Sequence, residues 1–339
     1  MANWKRGRQS FQLETPPVIT AWSSIAGKKE SEGPLQAYYD QTDQDTYFGQ
    51  KTWEKAEAHL QELAMDTLLQ KAGMKKSDVN LVCSGDLLNQ CISSSFSLRN
   101  TGMPALGLYG ACSTMAESLL LAAMAVGGGF VSSAVAMTSS HFASSERQYR
   151  YPLGYGGQRT PTAQWTVTGS GAALVRSTGS GPVVESATIG TIVDLGITDA
   201  NNMGAAMAPA AFETIRAHLD DLGAAPEDYD LIVTGDLGKI GREILLDQFN
   251  SAGIHLSERY NDCGLLVFDT EKQDVHAGGS GCGCSAIVLC GYLLNQLQKQ
   301  KIRRLLFCGT GALLSPVSSQ QGESIPGVCH AVSISSERM

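Results

Sequence analysis

The stretch "AGMKKSDVNLVCSGDL" (72–87) recurs later in the chain as "LGAAPEDYDLIVTGDL" (222–237). The two copies align without a gap, pairing Gly73 with Gly223, Asp78 with Asp228, Leu81 with Leu231, and Gly85-Asp86-Leu87 with Gly235-Asp236-Leu237. Each copy follows an amphipathic helical pattern, carried by Met65, Leu69 and Ala72 in the first and by Phe212, Ile215, Leu219 and Leu222 in the second. Gly73 and Gly223 suit the left-handed residue that closes a helix. The apolar runs 81–83 and 231–233 then read as buried strands ending in Gly-Asp.

A second pairing extends the repeat: "GACSTMAESLLLAAMAVGGGFVSSAVAMTSS" (110–140) matches "GCGCSAIVLCGYLLNQLQKQKIRRLLFCGTG" (281–311) at constant offset. In both, a glycine turn leads into a helix and then a strand. Strands alternating with helices imply an α/β fold with parallel strands covered by helices, and the duplication implies two sheets related by a pseudo-dyad. Ligands in open α/β sheets sit beyond the carboxyl ends of the strands, so Asp86 and Asp236, and Cys112 and Gly283, are expected to face one central crevice. The Gly/Ser/Pro turn within 176–186 is the best boundary between halves. The aromatic- and arginine-rich segment 141–166 reads as a long functional loop.

The composition narrows the function. With 339 residues, 43% of them hydrophobic, the chain can bury a large core. A formal charge of −8 with dispersed Lys and Arg argues against nucleic acid as a partner. The N-terminal segment carries Lys5, Arg6 and Arg8 with no apolar run after them, so it is not a secretory signal; it is expected to be a disordered tail, the alternative being a contact for protein partners. Nine cysteines without an export signal fit reduced thiols in a soluble protein made in the cytoplasm. The apolar stretch 119–137 is long enough to span a bilayer, but its glycines and serines split it into a helix and a strand. Cys282, Cys284 and His276 are too few for a structural zinc site, and no complete nucleotide-binding glycine motif is present.

Cys112 stands where a small-residue turn meets a helix, a position at which free N–H groups and the helix dipole are expected to lower a thiol's pKa toward neutrality. That is the chemistry of an acyl acceptor; a small buried residue is the plainer alternative. Gly110-Ala111-Cys112-Ser113 opening a helix, the strand "TGSGAALV" (168–175), the two-fold repeat, and the late segments "GSGCGCSA" and "FCGTGALLS" together resemble the thiolase superfamily, in particular ketoacyl synthase III-type condensing enzymes. More closely still, the chain resembles the stage V sporulation protein AD family of spore-forming bacteria.

The resemblance implies a thiolase-like fold of duplicated halves, two stacked mixed sheets in a five-layer αβαβα arrangement. It divides the chain into an extension (1–16), an N-terminal half (17–180) and a C-terminal half (181–339), and implies a homodimer. It also implies a Cys nucleophile at Cys112 assisted by a His and an Asn, or by two His, with a His expected soon after "DLIV" and an Asn before the last long helix. The sequence has Thr234-Gly235-Asp236 at the first place and Cys282 at the second, so the resemblance favours a retained pocket without catalysis. What the sporulation family implies is binding of dipicolinic acid and its uptake into the spore with membrane partners, the protein lying peripherally at the spore membrane through them.

A small aromatic dianion calls for stacking surface, Arg forks and helix-start N–H groups. The candidates are Cys112, Thr138, Ser139, Ser140 and His141, with Arg147, Arg150 and Arg159 beside Tyr149, Tyr151 and Tyr155; Cys282 and Thr310 complete the set. Asp86 and Asp236 could hold calcium carried in with the ligand, against the commoner role of capping a turn. No resident cofactor or metal is expected. The rival readings are an active acyltransferase using Cys112 with a helper such as His141, and a purely structural subunit.

Overall fold

The structure is a computed structural model and describes residues 4–149 and 158–337. Its first half runs β1 (Val18–Ala26), α1 (Trp53–Ala72), β2 (Leu81–Gly85), α2 (Ile92–Leu98), β3 (Ala105–Leu108), α3 (Thr114–Gly127), β4 (Ser133–Ser140), α4 (Phe142–Tyr149) and β5 (Gly169–Arg176). The second runs β6 (Val183–Thr188), α5 (Met203–Leu222), β7 (Leu231–Thr234), α6 (Gly238–Ser251), β8 (Tyr260–Asp262), α7 (Cys282–Ile287), β9 (Arg304–Ala312) and β10 (Gly327–Ser335). After α7 the helix continues through a π-helical stretch, Val288–Leu293, into Leu294–Gln298.

Local chemistry explains the repeated boundaries. The Thr52 hydroxyl accepts from Lys55 N–H to open α1, and the Asn202 side chain accepts from Ala205 N–H to open α5. Both helices are 20 residues long and close on glycines in the left-handed region, Gly73 at φ +63° and Gly223 at φ +60°, as the repeat predicts.

The strand order is β1-β5-β4-β2-β3 in the first half and β6-β10-β9-β7-β8 in the second. In each, the first three strands pair antiparallel with their neighbours and the last three pair parallel. The alternation of helix and strand predicts the parallel part. The antiparallel part follows from links such as that between β9 and β10, which holds only a five-residue helix, Pro316–Gln320, too short for a parallel crossover. One residue pair, Val18 with Val183, joins the two sheets at their seam.

Helices α3 and α7 fill the middle layer. α3 packs on β2 and β4 of one sheet and on β9 and β10 of the other, while α1 covers the outer face of the first sheet and α5 that of the second. This is the five-layer arrangement. The largest core cluster occupies its centre, around Met115, Leu119, Ile287 and Phe307, all fully buried. Flanking cores lie under α1, with Leu60, Leu68 and Val135, and under α5, with Ile215, Ile232 and Phe249. The apolar stretch 119–137 divides between α3 and β4, and among the described residues no helix is long and apolar enough to cross a membrane.

Two expectations are corrected. Residues 4–16 are not a disordered tail: Lys5–Arg6 pairs with Ser10–Gln12, which in turn pairs antiparallel with Ser186–Thr188 of β6. The Asp221 carboxylate secures this hairpin by accepting the N–H groups of Arg8, Gln9 and Ser10, each at 3.1 Å. The segment 141–166 is not all loop, since its first part forms α4. The buried face of α4 is Ala143, Ser144, Ser145 and Glu146, too polar to leave an apolar period in the sequence.

Candidate functional site around Cys112

The turn Gly110–Ser113 aims the cysteine. Ala111 adopts φ +50°, a left-handed backbone that costs a non-glycine residue about 1–2 kcal/mol, and its neighbours hold it there. The Ser113 hydroxyl donates to Gly110 O at 2.7 Å, the Thr114 hydroxyl donates to Ala111 O at 2.6 Å, and Gly110 N–H donates to Thr114 Oγ1 at 3.1 Å. The Gly309-Thr310-Gly311 segment of β9 presses against this turn. A Cβ on Gly311 would lie 2.3 Å from Gly110 O, and one on Gly309 would lie 2.6 Å from Ala116 Cβ. The result is a half-buried Cys112, while the other eight cysteines are buried.

Beneath the sulfur is an oxygen-rich floor. The short parallel pair of Trp165–Thr166 with Gly279–Ser280 sets Thr166 beside Ser280. Ser280 Oγ lies 4.0 Å from Cys112 Sγ and donates to Asp236 Oδ2 at 3.0 Å. Asp236 is fully buried. Its Oδ2 also accepts Gly281 N–H at 2.8 Å, its Oδ1 accepts the Thr310 hydroxyl at 2.8 Å, and its own N–H donates to Thr310 Oγ1 at 3.0 Å. Burial pushes the Asp236 carboxyl above the usual carboxylate range, against the pull of these hydrogen bonds.

This floor reverses the expectation for Cys112. Burial, and then the negative charge of Asp236, push the thiol well above its ordinary value. The helix-start N–H groups do not offset a desolvated site with a carboxylate below it.

A narrow cavity of about 50 Å³ opens above the sulfur, with Cys112, Ser145, Glu146, Thr166 and Ser280 as its polar lining and Leu87, Met203 and Leu314 among the apolar residues. Tyr109 and Tyr149 also line it, their hydroxyls 2.6 Å apart, and the Tyr149 hydroxyl donates to Leu87 O. The Thr166 hydroxyl donates to Glu146 Oε1 at 3.2 Å, and the buried Ser145 Oγ has no hydrogen-bond partner among the described residues. Among those residues, no Arg, Lys or His lines this cavity.

The other residues expected at the site have separate tasks. Asp86 does not mirror Asp236: it accepts Leu88 N–H at 2.9 Å and both the N–H and hydroxyl of Ser94, at 2.8 and 2.7 Å, which caps the turn into α2. Thr138 donates to Cys282 O, Ser139 to Glu57 Oε1 and Ser140 to Val167 O, all three fully buried. His141 Nε2 bonds Thr46 O at 2.8 Å while Nδ1 accepts Ala143 N–H, and burial lowers its pKa, so it is a neutral structural histidine rather than a helper for Cys112. Arg147 pairs with Glu54 over the Trp53 ring, and Arg159 pairs with Asp274 at 2.7 Å; neither lines the cavity. Arg150, Tyr151 and Tyr155 lie outside the described residues.

Cys282 is also corrected. Its Sγ donates to Ser139 O at 2.9 Å, and the side chain within hydrogen-bonding distance of Cys112 Sγ is that of Ser280, two positions earlier. The repeat carried a signal for this: at the offset that pairs Cys112 with Gly283, Ser280 pairs with Tyr109, and both line the cavity. Gly283 itself packs against Ser140, its N–H donating to Ser140 Oγ at 3.0 Å. Glu146, Ser145 and Thr166 had no such signal.

Three comparisons place the molecule among known proteins. The family model for stage V sporulation protein AD matches residues 7–335. Stage V sporulation protein AD of Bacillus subtilis (strain 168) is 45% identical over 326 residues, which cover 96% of this chain and 96% of that one. Among solved structures, a single-residue variant of OleA from Xanthomonas campestris superposes with a TM-score of 0.61 at 14% identity, covering 96% of this chain and 99% of that one. The 3-oxoacyl-[acyl-carrier-protein] synthase III of Aquifex aeolicus VF5 gives 0.56 at 11% identity, covering 94% and 99%. Such distant matches establish a thiolase-like condensing-enzyme fold and nothing finer. With the repeat, the five layers and a match running nearly end to end, the chain belongs to the stage V sporulation protein AD family.

Proposed function

We propose that the chain is a non-catalytic binding protein for dipicolinic acid, pyridine-2,6-dicarboxylate, alone or as its calcium complex, and serves its uptake into the developing spore. The observation that carries the non-catalytic part is the set of groups around Cys112. The sulfur faces a hydroxyl and a buried carboxylate, Ser280 and Asp236, where a condensing enzyme needs proton-transfer and oxyanion-binding groups. Lacking an acid/base group costs about 10²–10⁴-fold in rate, and lacking an oxyanion donor about 10²–10³-fold. Asp236 would also repel the oxyanion.

The cavity chemistry supports the calcium complex over the bare dianion. Glu146 and the hydroxyls of Ser145, Thr166 and Ser280 are hard oxygen groups of the kind that accompany calcium, and the described lining offers a dianion no cation. The protein would reach the membrane through protein partners and act as a homodimer. The edge strand β3 supports the dimer: among the described residues it pairs only with β2, and Leu106 on it is 50% exposed.

Calorimetry with dipicolinate, with and without calcium, tests the reading, alongside intact-mass analysis after incubation with acyl-CoA donors. Saturable heat and no acyl adduct are expected. A stoichiometric adduct on Cys112 would make the chain an acyltransferase. No heat and no thermal shift would make it a structural subunit.

A further inference from the structure

The Cys112 cavity, at about 50 Å³, is several-fold smaller than the roughly 300 Å³ and upward at which pockets enclose an organic ligand. A pyridine ring with two carboxylates, or its calcium complex, enters only if a wall moves. Most of the walls are fixed. The Cys112 turn is wedged against β9 at Gly309 and Gly311. Ser280 and Thr166 lie on paired strands, and Ser280 is bonded to the fully buried Asp236. Ala312 and Leu314 belong to the core under α5, and Met203 packs against it.

The remaining wall is α4, which supplies Ser145, Glu146 and Tyr149. Among the described residues α4 places no side chain in any of the three hydrophobic cores, and only Tyr149 packs against one. Polar contacts hold it instead. The Ser144 hydroxyl donates to Oε2 of the fully buried Glu57 on α1 at 2.7 Å, and Thr166 donates to Glu146. Gln148 donates to Leu87 O at 3.2 Å and accepts Asn89 N–H at 3.0 Å. The Arg147–Glu54 pair lies at the surface, where an ion pair adds little. A helix held this way, with little buried apolar surface, sits at the low end of local stability. Its start is different. His141 Nε2 bonds Thr46 O, Phe142 N–H donates to Thr168 Oγ1 at 3.0 Å, and the Phe142 ring stacks on Trp165 with centroids 3.8 Å apart.

We propose that α4 is a lid on the Cys112 cavity, hinged at His141–Phe142 and latched by Ser144 on Glu57, which swings out to admit the ligand and closes over it. The identity of the ligand rests on the reading above; the movement rests on how α4 is held. Ser145 supports closure onto a ligand, because its buried hydroxyl, which lines the cavity, has no hydrogen-bond partner among the described residues and gains one when the cavity is filled.

Peptide-resolved hydrogen exchange on the full chain without ligand tests the hinge. Amides of 145–149 are expected to exchange at least about 100-fold faster than those in the middle of α3, and to slow when dipicolinate and calcium are added. Ser144→Ala is expected to raise the open population about three- to tenfold, the worth of one hydrogen bond, and with it the rate at which a bulky maleimide labels Cys112, while exchange in α3 is unchanged. Amides of α4 as protected as those of α3 would overturn the proposal, as would a Ser144→Ala chain labelled at the wild-type rate. So would exchange in α4 that stays fast while calorimetry shows dipicolinate bound. Fast exchange and quickened labelling in a chain that gives no heat with dipicolinate would support the lid and overturn the ligand reading alone.

Discussion

Replacing Asp236 with Asn should make Cys112 more reactive. Ser280 Oγ lies 4.0 Å from Cys112 Sγ and 3.0 Å from Asp236 Oδ2, so the carboxylate is within about 7 Å of the sulfur. Even at the far end of that range, and with an effective dielectric of about 20, one charge opposes thiolate formation by about 2.4 kcal/mol, so its removal lowers the thiol's pKa. Below that pKa the thiolate fraction then rises about 50-fold, and because a less basic thiolate is a weaker nucleophile, the net gain in alkylation rate is about eightfold. The assay is the rate of iodoacetamide modification, followed by intact mass. Cys112 dominates the signal because the other eight cysteines are buried, and Cys112→Ala supplies the background. The wild type provides a second reading that needs no folded variant: its alkylation rate should keep climbing past pH 9, since burial and Asp236 hold the thiol up. An Asp236→Asn protein with native circular dichroism and an unchanged or slower rate would refute the account of the site, as would a wild-type rate that levels off near neutrality.

Three further outcomes follow from the packing and charges. Gly311→Ala should destabilise the chain by about 1–3 kcal/mol in urea unfolding, because its new methyl meets the Gly110 carbonyl, backbone that cannot swing aside; a change below about 0.5 kcal/mol, the scale of an ordinary surface substitution, would contradict the contact. Burial pushes the carboxyls of Glu30 and Asp262 up to about 7 and that of Glu57 up to about 8. Raised folded-state values mean the folded chain holds protons the unfolded chain has released, so this stabilisation is complete below about pH 4 and is lost as pH rises through 7 and 8. The melting temperature should therefore fall as pH rises from about 6 to about 8 and level off above, less steeply in Glu57→Gln, and a flat or rising profile below pH 8 would refute it. Arg147→Ala should leave dipicolinate affinity unchanged, since the side chain pairs with Glu54 outside the cavity, whereas Glu146→Gln should weaken calcium-dependent binding; calorimetry separates the two.

The sequence disclosed the architecture because a gap-free repeat fixes matching elements with matching boundaries, down to the closing glycines Gly73 and Gly223. The site was harder to read. Along "GSGCGCSA" the chain changes from strand to helix at Gly281, φ +99°, so the side that faces Cys112 cannot be followed by simple alternation from Cys282 back to Ser280. α4 was hidden because serines and a glutamate, held by neighbours such as Glu57 and Thr166, form its buried face. Asp86 and Asp236 look equivalent in the alignment, and only tertiary context separates them, one turned into its own loop and the other under the sulfur.

That inequality fixes how many molecules one chain can hold. Gene duplication left two carboxylates at corresponding strand ends, yet the acceptor atoms of Asp86 are taken up by Leu88 and Ser94, and Gly283, where the first half has its cysteine, is wedged against Ser140. A titration of the Cys112 cavity should therefore count a single equivalent per polypeptide, with the quieter half acting as the scaffold that keeps the working half in shape.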